Sequence, residues 1–296
     1  MPRLGWACRK ASRQTVGTTQ ISECRFSLRD PKEPPLIPLI AGAAVLGALF
    51  NAQGLLLYDP DEVMPLRPAD VGLPELRIVD TLASDLVFVE SWFAPPRGDK
   101  PTVLYCHGRT GNIAHEAVRA RLILDQGYGL LLQGYRGYGR NSGYPTERGL
   151  KADAKGGLDF LIRQARIPAE RIVLYGRSLG TAVLAPLAAG RQLAGILFET
   201  PFDSILRLAE EAQPTLPLGL FIGEPYDSLP HAARFQAPFV ILHGTEDEFI
   251  PAENVLSLYA SAPEPKRLCW IPGGRHCDLM ERGGAAKVMG FLDIVS

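Results

Sequence analysis

The sequence predicts an α/β fold, with a mostly parallel central sheet, helices on both faces and little or no cap. Two observations carry this prediction. From about Leu76 onward, short apolar runs without charge alternate with longer stretches of helical spacing. Strands buried on both faces read this way because a parallel sheet is covered on both sides. The apolar runs also end in polar or glycine-rich loops such as "CHGRTGN", "GYRGYG", "HGTEDEFIP" and "PGGRH". Loops after the strands are where an open parallel sheet places its ligands. Of the 296 residues, roughly 240 remain after the first sixty, enough for one large domain with a sizeable core.

The elements follow in order. "LVFVESWFAP" is an early strand, and "PTVLYCHG" is a buried strand entering a glycine loop. "NIAHEAVRARLILDQG" has helical spacing and stops at Gly127. "YGLLLQGYRGYG" is a strand running into a Gly/Tyr loop. "TERGLKADAKGGLDFLIRQAR" is a long helix with Thr146 as its N-cap, because a threonine oxygen accepts from first-turn N–H groups. "RIVLYG" is a strand, "SLGTAVLAPLAAG" a helix and "LAGILFETP" a strand. About forty residues, helical and interrupted by proline, separate it from the strand in "APFVILHGTEDEFIP", which leaves little room for a cap. "AENVLSLYASA" is a helix, "KRLCWIPGGRH" the last strand, and "DLMERGGAAKVMGFLDI" a closing helix.

The N-terminus is different. Residues 1–35 carry seven Lys/Arg and three acids, and the run from Leu36 to Tyr58 carries no charge. As a helix it would span roughly 35 Å, enough for a hydrocarbon core of about 30 Å. The basic flank before it and the acidic flank "DPDEVMPLRPAD" after it favour a cytoplasmic N-terminus and a domain on the non-cytoplasmic side. The expected organisation is therefore a basic segment 1–35, a membrane anchor or signal 36–58 and a domain 59–296. The alternatives for the run are a cleaved signal peptide and a hairpin packed on the domain, the latter favoured by Pro38, Asn51 and Gln53.

Formal net charge is −1, so no basic field attracts nucleic acid, and no basic-aromatic stripe is present. Five cysteines are scattered, too few for a disulfide scaffold, and no Cys/His cluster has metal spacing. Cys106 and Cys269 lie in apolar runs and read as core residues. A Cys269–Cys277 bridge is the alternative for a domain facing an oxidising space.

Gly176-Arg177-Ser178-Leu179-Gly180 lies between a strand and a helix, the setting in which G-x-S-x-G makes a nucleophile elbow. The glycines permit a sharp turn that pushes the serine off the sheet edge, and the following helix aims free N–H groups at the same spot. The bland reading is an ordinary tight turn. A serine hydroxyl needs a base, and the base an orienting acid. His276, after the last strand, is the candidate base. His107 and His243 precede glycines and read as loop-fixing, while His115 and His231 read as solvated. Asp247, after the preceding strand, is the candidate acid, with Glu246, Asp203 and Glu199 as rivals. Asp278 reads as the start or cap of the last helix. Oxyanion donors are expected at the N–H of Leu179 and at Arg109 in the early loop, with Thr110 as second choice.

At these motifs the sequence resembles the α/β-hydrolases. "VLYCHGRTGNIAH", "GYRGYGRNSGYPTERGL", "GRSLGTA", "LHGTEDEFIP" and "PGGRHCDL" together resemble the serine-aminopeptidase-like subgroup, which includes membrane-anchored hydrolases, some of them protein depalmitoylases. The resemblance covers roughly residues 55–296. It implies Ser178 as nucleophile, Asp247 as orienting acid, His276 as base, and Arg109 and Leu179 as oxyanion donors. Two positions depart from the subgroup: Gly134 stands where an acid often precedes "YRGYG", and Arg109 where a small residue or Asn often follows "HG".

The sequence therefore predicts a serine hydrolase of carboxylic esters or thioesters that needs no metal or organic cofactor. Its expected partners are a small-molecule, acylated or lipid-linked substrate and, through the N-terminal run, a membrane. A peptidase releasing N-terminal residues and a non-catalytic binding member of the fold are the rival readings. Arg109, Arg177 and Arg275, each beside a candidate site position, raise a further expectation of an anionic substrate group. Solvent or local acids are their alternative partners.

Overall fold

Eight strands form one sheet in a computed structural model that describes Gly54 and residues 57–296 apart from positions 216 and 221. The basic segment 1–35 and nearly all of the uncharged run 36–58 lie outside the described residues. No helix among the described residues is long and apolar enough to cross a membrane. The strands are β1 (Arg77–Leu82), β2 (Phe88–Ala94), β3 (Thr102–Cys106), β4 (Gly129–Gln133), β5 (Ile172–Arg177), β6 (Gly195–Glu199), β7 (Phe239–Gly244) and β8 (Lys266–Ile271). Their order across the sheet is β8-β7-β6-β5-β3-β4-β2-β1. The six from β3 to β8 pair in parallel, and β1 and β2 add an antiparallel edge. The sequence reading did not single out β1.

Successive strand residues point to opposite faces, and both faces are packed. Leu104, Cys106, Leu131, Leu174, Ile196, Phe198 and Ile241 share one core with helices α2 (Glu147–Asp159), α3 (Leu179–Ala188) and α6 (Ala252–Ser261). Val103, Tyr105, Leu130, Leu132, Val173, Leu197 and Leu242 share the other with α1 (Ala117–Asp125) and α7 (Ala285–Ile294). Each buried aliphatic side chain contributes about 1.5–3 kcal/mol, so uncharged strands are required on both sides. Among the described residues between β6 and β7 stand only α4 (Ile205–Ala212), a single 3-10 turn at Leu218–Leu220 and the short α5 (Leu229–Ala232). That is little cap, as the sequence predicts.

Thr146 caps α2, its side chain accepting from Gly149 N. The closing stretch is not one helix: Gly283 takes φ of 97° and Arg282 is also non-helical, so α7 begins only at Ala285. No bridge joins Cys269 and Cys277; both are free, as is Cys106. Cys106 is a buried core residue whose thiol burial pushes up to about 12. Cys269, on the edge strand β8, is only partly buried. Gly134 has no room for the acid common in the resembled subgroup, because a Cβ there would run into the Glu90 carbonyl and approach Asn141 Nδ2.

Candidate active site

The turn from β5 into α3 is built around crowding. A Cβ on Gly176 would sit 2.7 Å from Gly180 O, and one on Gly180 would collide with the carbonyls of Cys106 and His107. Only glycine lets these backbones approach so closely. Ser178 itself holds φ of 51°, a strained value for a side-chain-bearing residue and typical of functional turns. Its N–H is fixed by Glu199 O at 2.9 Å. Gly180→Ala is expected to lower stability by about 3 kcal/mol, seen as a fall in Tm of roughly 6–12 °C; an unchanged Tm would mean the turn is not so confined.

The loops after β7 and β8 bring Asp247 and His276 to this turn. His276 Nε2 lies 3.0 Å from Ser178 Oγ. His276 Nδ1 lies 2.8 Å from Asp247 Oδ2 and 3.1 Å from Oδ1. Asp247 Oδ1 also accepts from the amides of Phe249 and Ile250 at 2.9 Å each. Burial would raise the Asp247 carboxyl, but the His276 contact and these amides outweigh it and hold it below the usual aspartate value. An ionised Asp247 makes Nδ1 the protonated ring nitrogen and leaves Nε2 as acceptor for the Ser178 hydroxyl. His276 N donates to Glu248 Oε2 at 3.1 Å, and the Phe249 ring meets the imidazole edge-on at 5.3 Å.

The rival acids are engaged elsewhere. Glu246 is exposed. Asp203 receives Asn254 Nδ2 at 3.0 Å and pairs with Arg207 at 2.6 Å. Glu199 is fully buried, bonded by Arg119 at 2.6 Å and Tyr175 at 2.6 Å. Asp278 accepts from Arg275 N at 2.7 Å and pairs with Arg282.

The candidate oxyanion donors belong to residues that line the cavity holding Ser178. Leu179 opens α3, so its N–H has no helical carbonyl to meet. Burial pushes His107 down to about 4, so its imidazole is neutral, and Nδ1 lies 2.8 Å from Gly108 O. Donating there, it fixes the Gly108–Arg109 peptide, and the trans geometry turns Arg109 N–H the opposite way. Arg109 O accepts from Asp59 N at 3.0 Å and from the Tyr138 hydroxyl at 2.7 Å. Two consecutive peptide planes around Arg109 are thus held. His243 likewise fixes a loop, Nε2 lying 3.2 Å from Ile250 O. His115 is half-exposed and pairs with Asp61 at 3.1 Å.

Ser178, His276 and both candidate donors line one cavity of about 650 Å³. Leu57, Leu179, Phe202, Ile205, Phe249 and Ile250 give it an apolar lining, and Thr110, His115 and Arg109 also line it. Arg177 also lines it, but is turned toward Glu116 at 3.4 Å and Glu199 at 3.8 Å. Arg275 is not a lining residue; it is exposed and pairs with Glu248 at 3.5 Å. The three arginines therefore do not form a common anion site. The sequence reading missed Phe249, the Glu116–Arg119–Glu199 network and the contribution of Leu57 and Asp59. Phe249 stands inside "LHGTEDEFIP" and Glu199 reads only as a rival acid, but no motif signals these roles.

No family model matches the chain. It is 33% identical over 257 residues to an uncharacterized protein of Mycobacterium tuberculosis, covering 86% of this chain and 91% of that protein. It is 30% identical over 275 residues to the α/β-hydrolase domain-containing protein WAV2 of Arabidopsis thaliana, covering 83% and 87% respectively. Among solved structures, the Pyrococcus furiosus esterase Pf2001 matches with a TM-score of 0.66 at 21% identity, covering 80% of this chain and 98% of that one. An α/β-hydrolase from Vibrio vulnificus matches at 0.62 and 19% identity, covering 88% and 95%. The chain belongs to the α/β-hydrolase family.

Proposed function

We propose that the protein is a serine hydrolase of carboxylic esters or thioesters. The observation that carries this is the continuous contact from Asp247 through His276 to Ser178, 2.8 Å and then 3.0 Å, ending on a serine in a strained turn. Ser178 Oγ attacks the acyl carbon while His276 Nε2 takes its proton. Asp247 stabilises the resulting imidazolium and holds the ring in the productive tautomer. The N–H groups of Leu179 and Arg109 receive the negative oxygen of the tetrahedral intermediate. His276 then returns the proton to the leaving alcohol or thiol. Water, deprotonated by His276, cleaves the acyl-enzyme and frees the acid and the serine.

The apolar lining from Leu57 to Ile250 suits the acyl chain, which supports an acylated or lipid-linked substrate over an aminoacyl one. The resemblance to membrane-anchored members of the serine-aminopeptidase-like subgroup supports the same reading. The uncharged run before Leu57 then serves as the anchor, since Leu57 lines the cavity and Tyr58 is buried in the domain, with the domain on the non-cytoplasmic side.

Fluorophosphonate labelling, followed by rates on acyl esters, acyl thioesters and aminoacyl-arylamides, tests the proposal. Labelling with ester or thioester turnover is the expected result. Preferential arylamide cleavage would make the protein a peptidase. A folded protein that neither labels nor turns over any of the three would be a binding member of the fold.

A further inference from the structure

The chain that ends the uncharged run does not leave the domain at once. Leu57 lines the cavity that holds Ser178. Tyr58 is buried, its hydroxyl 2.6 Å from Glu224 Oε2 and 2.7 Å from the Tyr226 hydroxyl. Asp59–Pro60 then pairs in parallel with Thr110–Gly111, the residues following Arg109. Asp59 N donates to Arg109 O at 3.0 Å, and Asp61 N to Gly111 O at 3.1 Å. The loop returns these bonds: Asn112 Nδ2 donates to Asp61 O at 3.0 Å and to Val63 O at 2.9 Å, and His115 pairs with the Asp61 carboxylate at 3.1 Å. Gly139 N, from the loop after β4, also donates to Asp61 O at 2.9 Å. Five contacts therefore join residues 59–63 to the loop region carrying a candidate oxyanion donor, and a sixth joins them to the loop after β4.

We propose that residues 57–63 are a positioning element of the active site, bracing the Arg109 loop so that its N–H is aimed before substrate arrives. This rests on the hydrolase reading above. The physical need is specific. The loop contributes through a backbone N–H, whose direction depends on peptide-plane rotation, and such donors act only when pre-aimed at the developing charge. Gly108 and Gly111 flank Arg109 and Thr110, and Gly111 holds φ of 85°, so the loop's own residues give the backbone freedom. His107 holds the Gly108–Arg109 plane from within the loop, and the bonds from Asp59 and Asp61, together with Tyr138, restrain the planes that follow it from outside. None of these side chains touches the reacting atoms; the segment acts through Arg109.

The test compares full-length wild type with Asp59→Pro, Asp59→Ala and Asn112→Asp. Asp59→Pro removes the N–H that bonds Arg109 O, whereas Asp59→Ala keeps it. Asn112→Asp removes the amide donors to Asp61 and Val63 while keeping the oxygen that caps Ala114 N at 2.9 Å. Asp59→Pro and Asn112→Asp are expected to lower kcat on short acyl esters by about 10- to 100-fold, part of the 10²–10³ lost with a whole oxyanion donor. KM should move less than threefold. Binding of a trifluoromethyl ketone, which places an oxyanion on Ser178, should weaken in step with kcat, and Asp59→Ala should stay within threefold of wild type. Folded Asp59→Pro and Asn112→Asp enzymes with wild-type kcat and ketone affinity would overturn the brace. Equal losses in Asp59→Ala and Asp59→Pro would also overturn it.

Amide hydrogen exchange in the 107–112 segment gives a readout independent of catalysis. It should rise at least tenfold in Asp59→Pro and Asn112→Asp, and unchanged exchange in both overturns the brace even where Asp59→Pro is too unstable for kinetics. Wild type that hydrolyses no ester and binds no ketone would sink the hydrolase reading instead, with the structural brace still judged by exchange.

Discussion

Ser178→Ala is expected to lower kcat for ester hydrolysis by about 10⁴- to 10⁶-fold while leaving the protein folded. The substitution deletes one oxygen and keeps the Cβ, so the turn, its glycines and the bond from Ser178 N to Glu199 O remain. His276→Ala should cost about as much, and the double variant little more, because nucleophile and base act as one unit. Asp247→Asn is the sharper probe. Asp247 Oδ1 accepts from two backbone amides, so an asparagine keeps its carbonyl there and turns its NH₂ toward His276. Nδ1 would then accept, Nε2 would carry the proton, and the ring could not take one from Ser178. A loss of about 10⁴ in kcat is expected. Spectrophotometric rates on a chromogenic ester check all of these, and Asp247→Asn within tenfold of wild type would remove Asp247 from the proposed relay.

The parts legible in the sequence are those written in local patterns. Continuous apolar runs mark the parallel strands because both faces are buried, and Gly176 and Gly180 mark the turn because its crowding admits nothing larger. Ser178, Asp247 and His276 stand out because each follows a recognisable strand, and the fold brings those loops together. β1 escaped notice because "RIVDTL" alternates exposed and buried residues on an antiparallel edge, unlike the uniform runs further on. The segment "DPDEVMP" reads only as an acidic flank. Its role lies in backbone bonds to a loop some fifty residues away, which no side-chain pattern records. The arginines mislead for a related reason. Nearness to Ser178 and His276 in sequence says nothing of direction, and Arg177 turns inward to Glu116 while Arg275 pairs with Glu248 outside the cavity.

The network beneath the turn makes the other large prediction. Arg119 bonds Glu199 through Nη2 at 2.6 Å and Nε at 3.2 Å, and Glu116 through Nη1 at 3.1 Å. Both carboxylates are buried. Burial by itself would raise the Glu199 carboxyl, but the charge and hydrogen bonds of Arg119, then Arg177 and Tyr175, hold it below the usual glutamate value. A carboxyl depressed by folding stabilises the fold above its unfolded pKa of 4.5 and loses that contribution as pH falls through the folded value. Arg119→Met reverses the sign. Burial then outweighs what Arg177 and Tyr175 still provide, Glu199 is raised, and its stability term, full below the unfolded value, is lost as pH climbs from there through the raised folded value. Removing one partner of a buried pair costs about 3–5 kcal/mol. Urea unfolding should therefore show that deficit near neutral pH and a clearly smaller one near pH 5, where Glu199 binds a proton more readily. Adding Glu199→Gln to Arg119→Met should recover part of the loss, since the uncompensated charge is gone. A deficit independent of pH, with no recovery in the double variant, would mean that Arg119 acts through packing alone. The Glu199 backbone also holds Ser178 N, so Arg119→Met is expected to loosen the serine turn together with the strand beneath it.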